Sequence, residues 1–277
     1  MNLKLTKIKK KDLHFTLHKL GEGAQGVVYR GKWAGSTVAI KSMKIGTKAK
    51  YLIREMKVHE TLHHPNIIQI MGLCIDVKWH IVMEYFDSTS LKDIIHNEFV
   101  REDFDLKDIE KKNKIAFQIC TAITFLHEQE IPIVHRDIKP DNILVNGDYF
   151  VKLCDLGLSL KEDMGTMLRT TCANNYKGSP IFSPPETLLH KKPATVASDV
   201  WSLACSLVEL YKEDHVWDLN PYDPMNNLLR YLRMKKKPEV DKVPFNLQVI
   251  FYNCFEHDPL NRPKALTLLK AYEKIVS

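Results

Sequence analysis

The spacing of apolar residues changes character near Asp87, from the period of strands to the period of helices. Before that point, short runs of β-branched and aromatic residues are broken by glycine. Gly26 to Trp33 and Ser36 to Met43 predict adjacent strands. One helix is predicted to interrupt them, because Leu52, Glu55, Met56, His59 and Leu62 fall at i, i+3, i+4, i+7 and i+10 on a single face. Glu55 puts a carboxylate on that otherwise buried face, which requires a partner. Past Asp87 the period is helical. Ile115, Ile119, Ala122 and Leu126 line one helix face; Val200, Leu203, Ala204, Leu207 and Val208 belong to another helix, apolar nearly all round and so central. No internal repeat or low-complexity linker intervenes. The expected molecule is α+β and bilobal. A small antiparallel-sheet lobe with one helix (1–86) is joined near Glu84 to Ser88 to a larger, mostly helical lobe (87–277), with a ligand site expected in the crevice between lobes.

Composition narrows the function classes. A chain of 277 residues, 44% of them hydrophobic, can supply a core of the expected size, burying about 75% of its unfolded surface. No run approaches the roughly 18 apolar residues of a membrane span. Met1 to Lys11 holds five lysines and no apolar stretch of the kind a secretory signal needs. The six cysteines, Cys74, Cys120, Cys154, Cys172, Cys205 and Cys254, form no C-x-x-C pair. That argues against a zinc site and for reduced thiols in a cytoplasmic protein. The net charge of +6 is spread, and its clusters (Lys7 to Lys11, Lys235 to Lys237) are short and lack interleaved aromatics. They read as solvated surface, so no nucleic-acid partner is expected.

Three constellations carry chemistry. Gly21-Glu22-Gly23-Ala24-Gln25-Gly26-Val27-Val28 can bring a strand–turn–strand close to phosphate oxygens and offer them backbone N–H groups. A dinucleotide fingerprint shares its G-x-G-x-x-G core but needs a helix next, and Val27-Val28-Tyr29 are strand formers. Twelve residues on, Val38-Ala39-Ile40-Lys41 ends an apolar strand in a cation. Taken alone Lys41 is an edge charge. With Glu55 fourteen residues further along, the two solve each other's problem, Lys41 holding phosphate and Glu55 holding Lys41. The third is His135-Arg136-Asp137-Ile138-Lys139-Pro140-Asp141-Asn142, followed by Asp155-Leu156-Gly157. Phosphoryl transfer needs mostly alignment and charge neutralisation. Asp137 can orient a hydroxyl and accept its proton, Lys139 can neutralise the γ-phosphate, and Asn142 and Asp155 are hard oxygen ligands suited to Mg²⁺.

On these residues the chain resembles the eukaryotic protein kinase family over about residues 13 to 275. Gly178-Ser179-Pro180-Ile181-Phe182-Ser183-Pro184-Pro185-Glu186 is similar to that family's substrate-binding segment, Ser198-Asp199-Val200-Trp201-Ser202 to the start of its central helix, and His257-Asp258-Pro259-Leu260-Asn261-Arg262-Pro263 to its late arginine motif. The resemblance implies one kinase domain, with ATP and Mg²⁺ as cofactors and protein serine or threonine hydroxyls as acceptors. It implies that Glu186 pairs with Arg262 and that Asp199 braces the loop around Asp137. It implies a nucleotide site drawing on Gly21, Glu22, Gly23, Gly26, Val28, Ala39 and Lys41, on Met83 at the back, on a hinge from Glu84 to Phe86, and on Leu144. Dimerisation between kinase domains stays open.

Lys139 within Lys-Pro-Asp-Asn, and Ser179, match serine/threonine kinases rather than tyrosine kinases. Gly31-Lys32-Trp33, His64-Pro65-Asn66-Ile67 and the Pro-Pro-Glu variant look most like the tyrosine-kinase-like group of receptor-interacting, mixed-lineage and Raf-type kinases. Leu156 stands where phenylalanine is usual, Pro184 replaces alanine, Gln25 replaces an aromatic and Ala204 replaces a glycine; none removes a catalytic group. A pseudokinase serving as a binding module would commonly lack Lys41, Asp137 or Asp155, and all three are present. Arg136 is, by resemblance, the partner of a phosphate on the activation loop. Asn175 occupies the place often phosphorylated, so either Thr170 and Thr171 take that part, which neighbouring Arg169 favours, or the loop is ordered without phosphate.

Overall fold

The computed structural model describes residues 6–23, 26–44, 62–155, 160–161 and 180–276. It divides into two compact units, Met1–Asp87 and Ser88–Ser277. The helix predicted around Glu55 lies outside the described residues up to residue 61, as do Thr170, Thr171 and Ser179.

The first unit is built on a six-stranded sheet. Its strands are β1 (Thr6–Ile8), β2 (Leu13–Glu22), β3 (Gly26–Trp33), β4 (Ser36–Met43), β5 (Ile70–Ile75) and β6 (Trp79–Glu84), in spatial order β1-β5-β6-β4-β3-β2. The predicted strands, now β3 and β4, pair antiparallel through their whole length, Gly26 opposite Met43 and Trp33 opposite Ser36. One pairing departs from the antiparallel expectation: β1 joins the free edge of β5 in parallel, Thr6 opposite Gly72. A Cβ on Gly72 would meet the Thr6 carbonyl oxygen at 2.6 Å, so this close edge requires glycine there. Alternation along β4 feeds both faces. Val38 and Ile40 pack with Ile8, Leu13, Cys74 and Val82, while Met43 packs on the other side with Ile70, Leu73 and Ile81.

The second unit is mainly helical. It contains β7 (Thr89–Ser90), α1 (Leu91–His96), α2 (Glu98–Arg101), α3 (Ile109–His127), β8 (Ile133–Val134), β9 (Ile143–Val145), β10 (Val151–Leu153) and β11 (Leu160–Lys161). Then come α4 (Pro185–Leu188), α5 (Val196–Lys212), α6 (Pro224–Arg233), α7 (Phe245–Cys254) and α8 (Ala265–Val276). The apolar face predicted for α3 is buried at Ile115, Ile119, Ala122 and Leu126. As its composition requires, α5 is buried along most of its length, with Trp201, Leu203, Ala204 and Leu207 fully enclosed. Tyr211 at its far end donates its hydroxyl hydrogen to Asn113 Oδ1 (2.8 Å), tying α5 to α3 inside the core. Cys74, Cys120, Cys154, Cys205 and Cys254 are free thiols. Among the described residues, no helix is long and apolar enough to cross a membrane.

Candidate active site

The first unit gathers several of the predicted nucleotide-binding residues on one face of its sheet. Val28 stands opposite Lys41, and Ala39 opposite Met83. Cross-strand partners share a face and residues two apart on a strand do too, so Val28, Ala39, Lys41 and Met83 project to the same side. Gly26 packs so tightly on β4 that a Cβ would lie 2.1 Å from the Ser42 carbonyl oxygen. Gly21 and Gly23 differ: among the described residues, a Cβ on either would meet no atom within 4 Å. Packing inside the sheet therefore does not demand glycine there, whereas close approach of a ligand would. The Gly23 N–H donates to the Gly26 carbonyl (2.9 Å), holding the two arms of the turn together. Glu22 is engaged by Lys19, whose ammonium holds the carboxyl below its ordinary range.

At the end of β6, the Glu84 N–H donates to Gln69 O (3.0 Å), and Glu84 Oε1 accepts the Gln69 N–H (2.8 Å). This reciprocal pair fixes the backbone just before Phe86. The Glu84 amide is thereby occupied within the lobe.

The second unit assembles the acidic loop between β8 and β9. Asp199, 1% exposed on α5, accepts the N–H of His135 at Oδ2 (2.7 Å) and the N–H of Arg136 at Oδ1 (2.9 Å). His127 Nε2 lies 2.9 Å from the same Oδ2. Arg136 takes a left-handed backbone (φ 73°), and the clamp on its N–H holds it there. Next in the chain, Asp137 is gripped on one carboxylate oxygen: Asn142 Nδ2 donates to Oδ2 (3.0 Å) and to the Asp137 carbonyl (2.7 Å), and Lys139 Nζ lies 3.1 Å from Oδ2. The Pro140–Asn142 segment closes as one 3₁₀ turn, which brings Asn142 back onto Asp137. Buried His135 is held neutral by burial and accepts the Asp137 N–H at Nδ1 (3.3 Å). The Cys154 N–H donates to Asn142 O (2.9 Å), which sets Asp155 beside Asn142. Asp155 is itself left-handed (φ 58°). Leu144, on β9, pairs with Lys152 and Ser90.

Asn142 commits its amide nitrogen to Asp137, leaving its amide oxygen for a cation. An amide oxygen and a carboxylate such as that of Asp155 are hard oxygen donors of the type that Mg²⁺ takes. Further along, Glu186 and Arg262 form a buried two-pronged ion pair, Arg262 Nη1 to Glu186 Oε1 2.8 Å and Nη2 to Oε2 2.7 Å. Ser198 Oγ donates to the same Oε1 (2.9 Å), and Arg262 also reaches the carbonyls of Ala197 and Glu256. Sequence reasoning missed His127 as the third partner of Asp199; its place in the last turn of α3, eight residues before His135, gave no motif to find it by.

A protein kinase domain profile matches residues 15–272. The serine/threonine-protein kinase CTR1 of Arabidopsis thaliana is 31% identical over 268 residues, covering 93% of this chain and 31% of that protein. Cell division control protein 7 of Schizosaccharomyces pombe is 32% identical over 268 residues, covering 91% of this chain and 23% of that protein. Cytokinesis protein sepH of Aspergillus terreus is 33% identical over 260 residues, with 91% and 18% covered. The chain thus spans about a third or less of the length of these relatives. The profile takes in most of the sheet of the first unit and the clamped loop of the second, and on that match the chain belongs to the protein kinase family.

Proposed function

We propose that this chain transfers the γ-phosphate of ATP to serine and threonine hydroxyls of proteins. Members of the protein kinase family use ATP with a divalent metal, generally Mg²⁺, on protein substrates. The observation that carries the reading is the grip on Asp137. Its Oδ2 is held by Asn142 and Lys139, on a loop whose two preceding N–H groups end on buried Asp199. A carboxylate anchored on one oxygen presents the other in a fixed direction, which suits it to orient an acceptor hydroxyl and take its proton. Lys139, a short reach away, supplies positive charge for the transferring phosphoryl group. Mg²⁺ bound by Asn142 and Asp155 would neutralise charge on the phosphates.

In the same reading, the Gly21 to Gly26 turn with Glu22 covers the phosphates, Lys41 holds them and Glu55 holds Lys41. Val28, Ala39, Met83 and Leu144 give apolar contact to adenine. The hinge from Glu84 to Phe86 reads adenine by backbone hydrogen bonds, the Glu84 N–H itself being turned to the Gln69 carbonyl. Arg136, with Thr170 or Thr171, forms a phosphate switch. The free thiols suit a cytoplasmic site of action, and dimerisation through the kinase domain is a further part of the reading. The serine/threonine assignment rests on Lys139 and Ser179 in the sequence and on the printed name of the Arabidopsis relative. Incubation with Mg²⁺, γ-labelled ATP and a generic basic protein, followed by phosphoamino-acid analysis, tests it. Label in phosphoserine and phosphothreonine is expected. Label confined to phosphotyrosine, or none, would reject the assignment.

A further inference from the structure

The second unit carries a cluster that the phosphotransfer reading does not use. His96 closes α1, Glu209 lies in the last turn of α5, and His215 follows in the loop after it. One ligand atom from each lies within 4.8 Å of the others. His96 Nε2 is 3.3 Å from Glu209 Oε2, and His215 Nδ1 is 3.9 Å from Glu209 Oε1. The two imidazoles are stacked, centroids 4.5 Å apart and planes 22° from parallel. Both rings therefore offer a nitrogen to one carboxylate.

Ordinary ion pairing does not account for this arrangement. The basic side chains nearby are engaged elsewhere: Lys92 with Asp141 (2.9 Å), Lys112 with Glu213 (2.7 Å), and Arg101 with Glu213 (3.6 Å). Among the described residues, Glu209 makes no ion pair with a lysine or arginine, although its side chain is only 3% exposed. Its partners are the two imidazoles and the Val216 N–H (3.1 Å). Asp214, whose carboxylate accepts the backbone N–H of His215 (2.7 Å), lies beside the cluster. A buried carboxylate without a fixed cation, faced by two imidazole nitrogens, is a place where a positive ion would be stabilised.

We propose that His96, Glu209 and His215 bind a zinc-type divalent ion, with water completing its shell. Two imidazoles and one carboxylate are a known three-ligand zinc set, and a tetrahedral ion roughly 2.0–2.2 Å from each ligand atom needs those atoms about 3.3–3.5 Å apart. His96 Nε2 already meets that spacing to Glu209 Oε2, whereas His215 Nδ1 stands 3.9 Å from the other oxygen, Oε1, with its ring stacked on that of His96; to join the ion, His215, 69% exposed, has to turn its ring out of the stack and move in. Imidazole nitrogen selects zinc and its neighbours over Mg²⁺ and Ca²⁺, which prefer oxygen. The ion would tie α1 to the end of α5 and the loop beyond. It would also sit one helical turn from Lys92, whose partner Asp141 belongs to the loop that carries Asp137. The site stands whether or not the phosphotransfer reading holds.

The test is zinc binding by the whole chain. Protein stripped with EDTA is titrated with Zn²⁺ against a chromophoric chelator, and separately with Co²⁺ as a spectroscopic probe. The wild type is expected to take up one more equivalent of Zn²⁺ than the His96→Gln/His215→Ala double variant. Co²⁺ should show the intense visible bands of four-coordination, persisting in millimolar Mg²⁺. His215→Ala alone should weaken the site at least tenfold, since loss of a mere supporting group around a zinc site costs roughly 10–100-fold. Because His215 is largely exposed, that variant should melt like the metal-free wild type, which separates lost binding from lost folding. Equal stoichiometry and affinity in the wild type and the double variant would overturn the proposal and leave the cluster a hydrogen-bonded network.

Discussion

Asp199 shows how one buried side chain fixes a loop to which it does not belong. Both its oxygens accept backbone N–H groups of consecutive residues, and His127 leans on one of them. The charge is tolerated at 1% exposure because its lone pairs are occupied. His80 solves the complementary problem of a buried base. On β6 it lies 2.9 Å from Ser42 Oγ and meets the edge of Phe15 at 5.1 Å. Burial first, and then the Lys10 ammonium, push its imidazole below the ordinary value. An unfolded imidazole titrates near 6.5. Between that value and the lower folded one, the unfolded chain binds a proton that the folded chain does not, so stability is complete above about pH 6.5 and is lost as the pH falls below it. His135 and His257, likewise lowered by burial, act with the same sign. Replacing His80 by Phe should narrow the gap between urea midpoints measured at about pH 7.5 and about pH 5.5. An unchanged gap would mean that His80 is not held neutral.

At the scale of elements, the ion pair of Glu186 on α4 with Arg262 links three parts of the second unit, since Arg262 also bonds to Ala197 on α5 and to Glu256 beyond α7. Removing one partner of such a pair strands the other charge in the interior, at a cost of about 3–5 kcal/mol. Arg262→Ala should lose stability of that order in urea unfolding; a loss below about 1 kcal/mol would show that Glu186 finds another partner. The elements differ in how far the sequence announced them. For β3 and β4, branched and aromatic residues alternate between turn residues, and the structure pairs them along their full length. The apolar stripes of α3 and α5 were equally plain, because each repeats a face every three or four residues. β1 was hidden. It is three residues long and set among lysines, and its parallel pairing depends on Gly72, more than sixty residues away.

For the whole molecule, legibility followed how compactly a role is written. Asp137, Lys139 and Asn142 sit within one short loop, so local spacing alone brought the proposed base, cation and metal ligand into view. The cluster of His96, Glu209 and His215 joins a residue of α1 to two that lie more than one hundred residues further along, and no motif spacing marks it. Cysteine arithmetic pointed away from zinc because it counts thiols, and this cluster has none. His127 escaped for the same reason, its partnership with Asp199 being made by the packing of α3 on α5.

Turnover of the Asp137→Asn variant, measured beside its ATP affinity and melting temperature, decides whether Asp137 is the base. Asparagine keeps the shape and can still accept the Asn142 and Lys139 hydrogen bonds, but it cannot take up a hydroxyl proton. ATP affinity and melting temperature should stay close to wild type. The turnover number should fall by about 10²–10⁴-fold, roughly 3–5 kcal/mol of barrier at 1.36 kcal/mol per decade. A variant that retains more than about a tenth of wild-type turnover would contradict the assignment of Asp137 as the base.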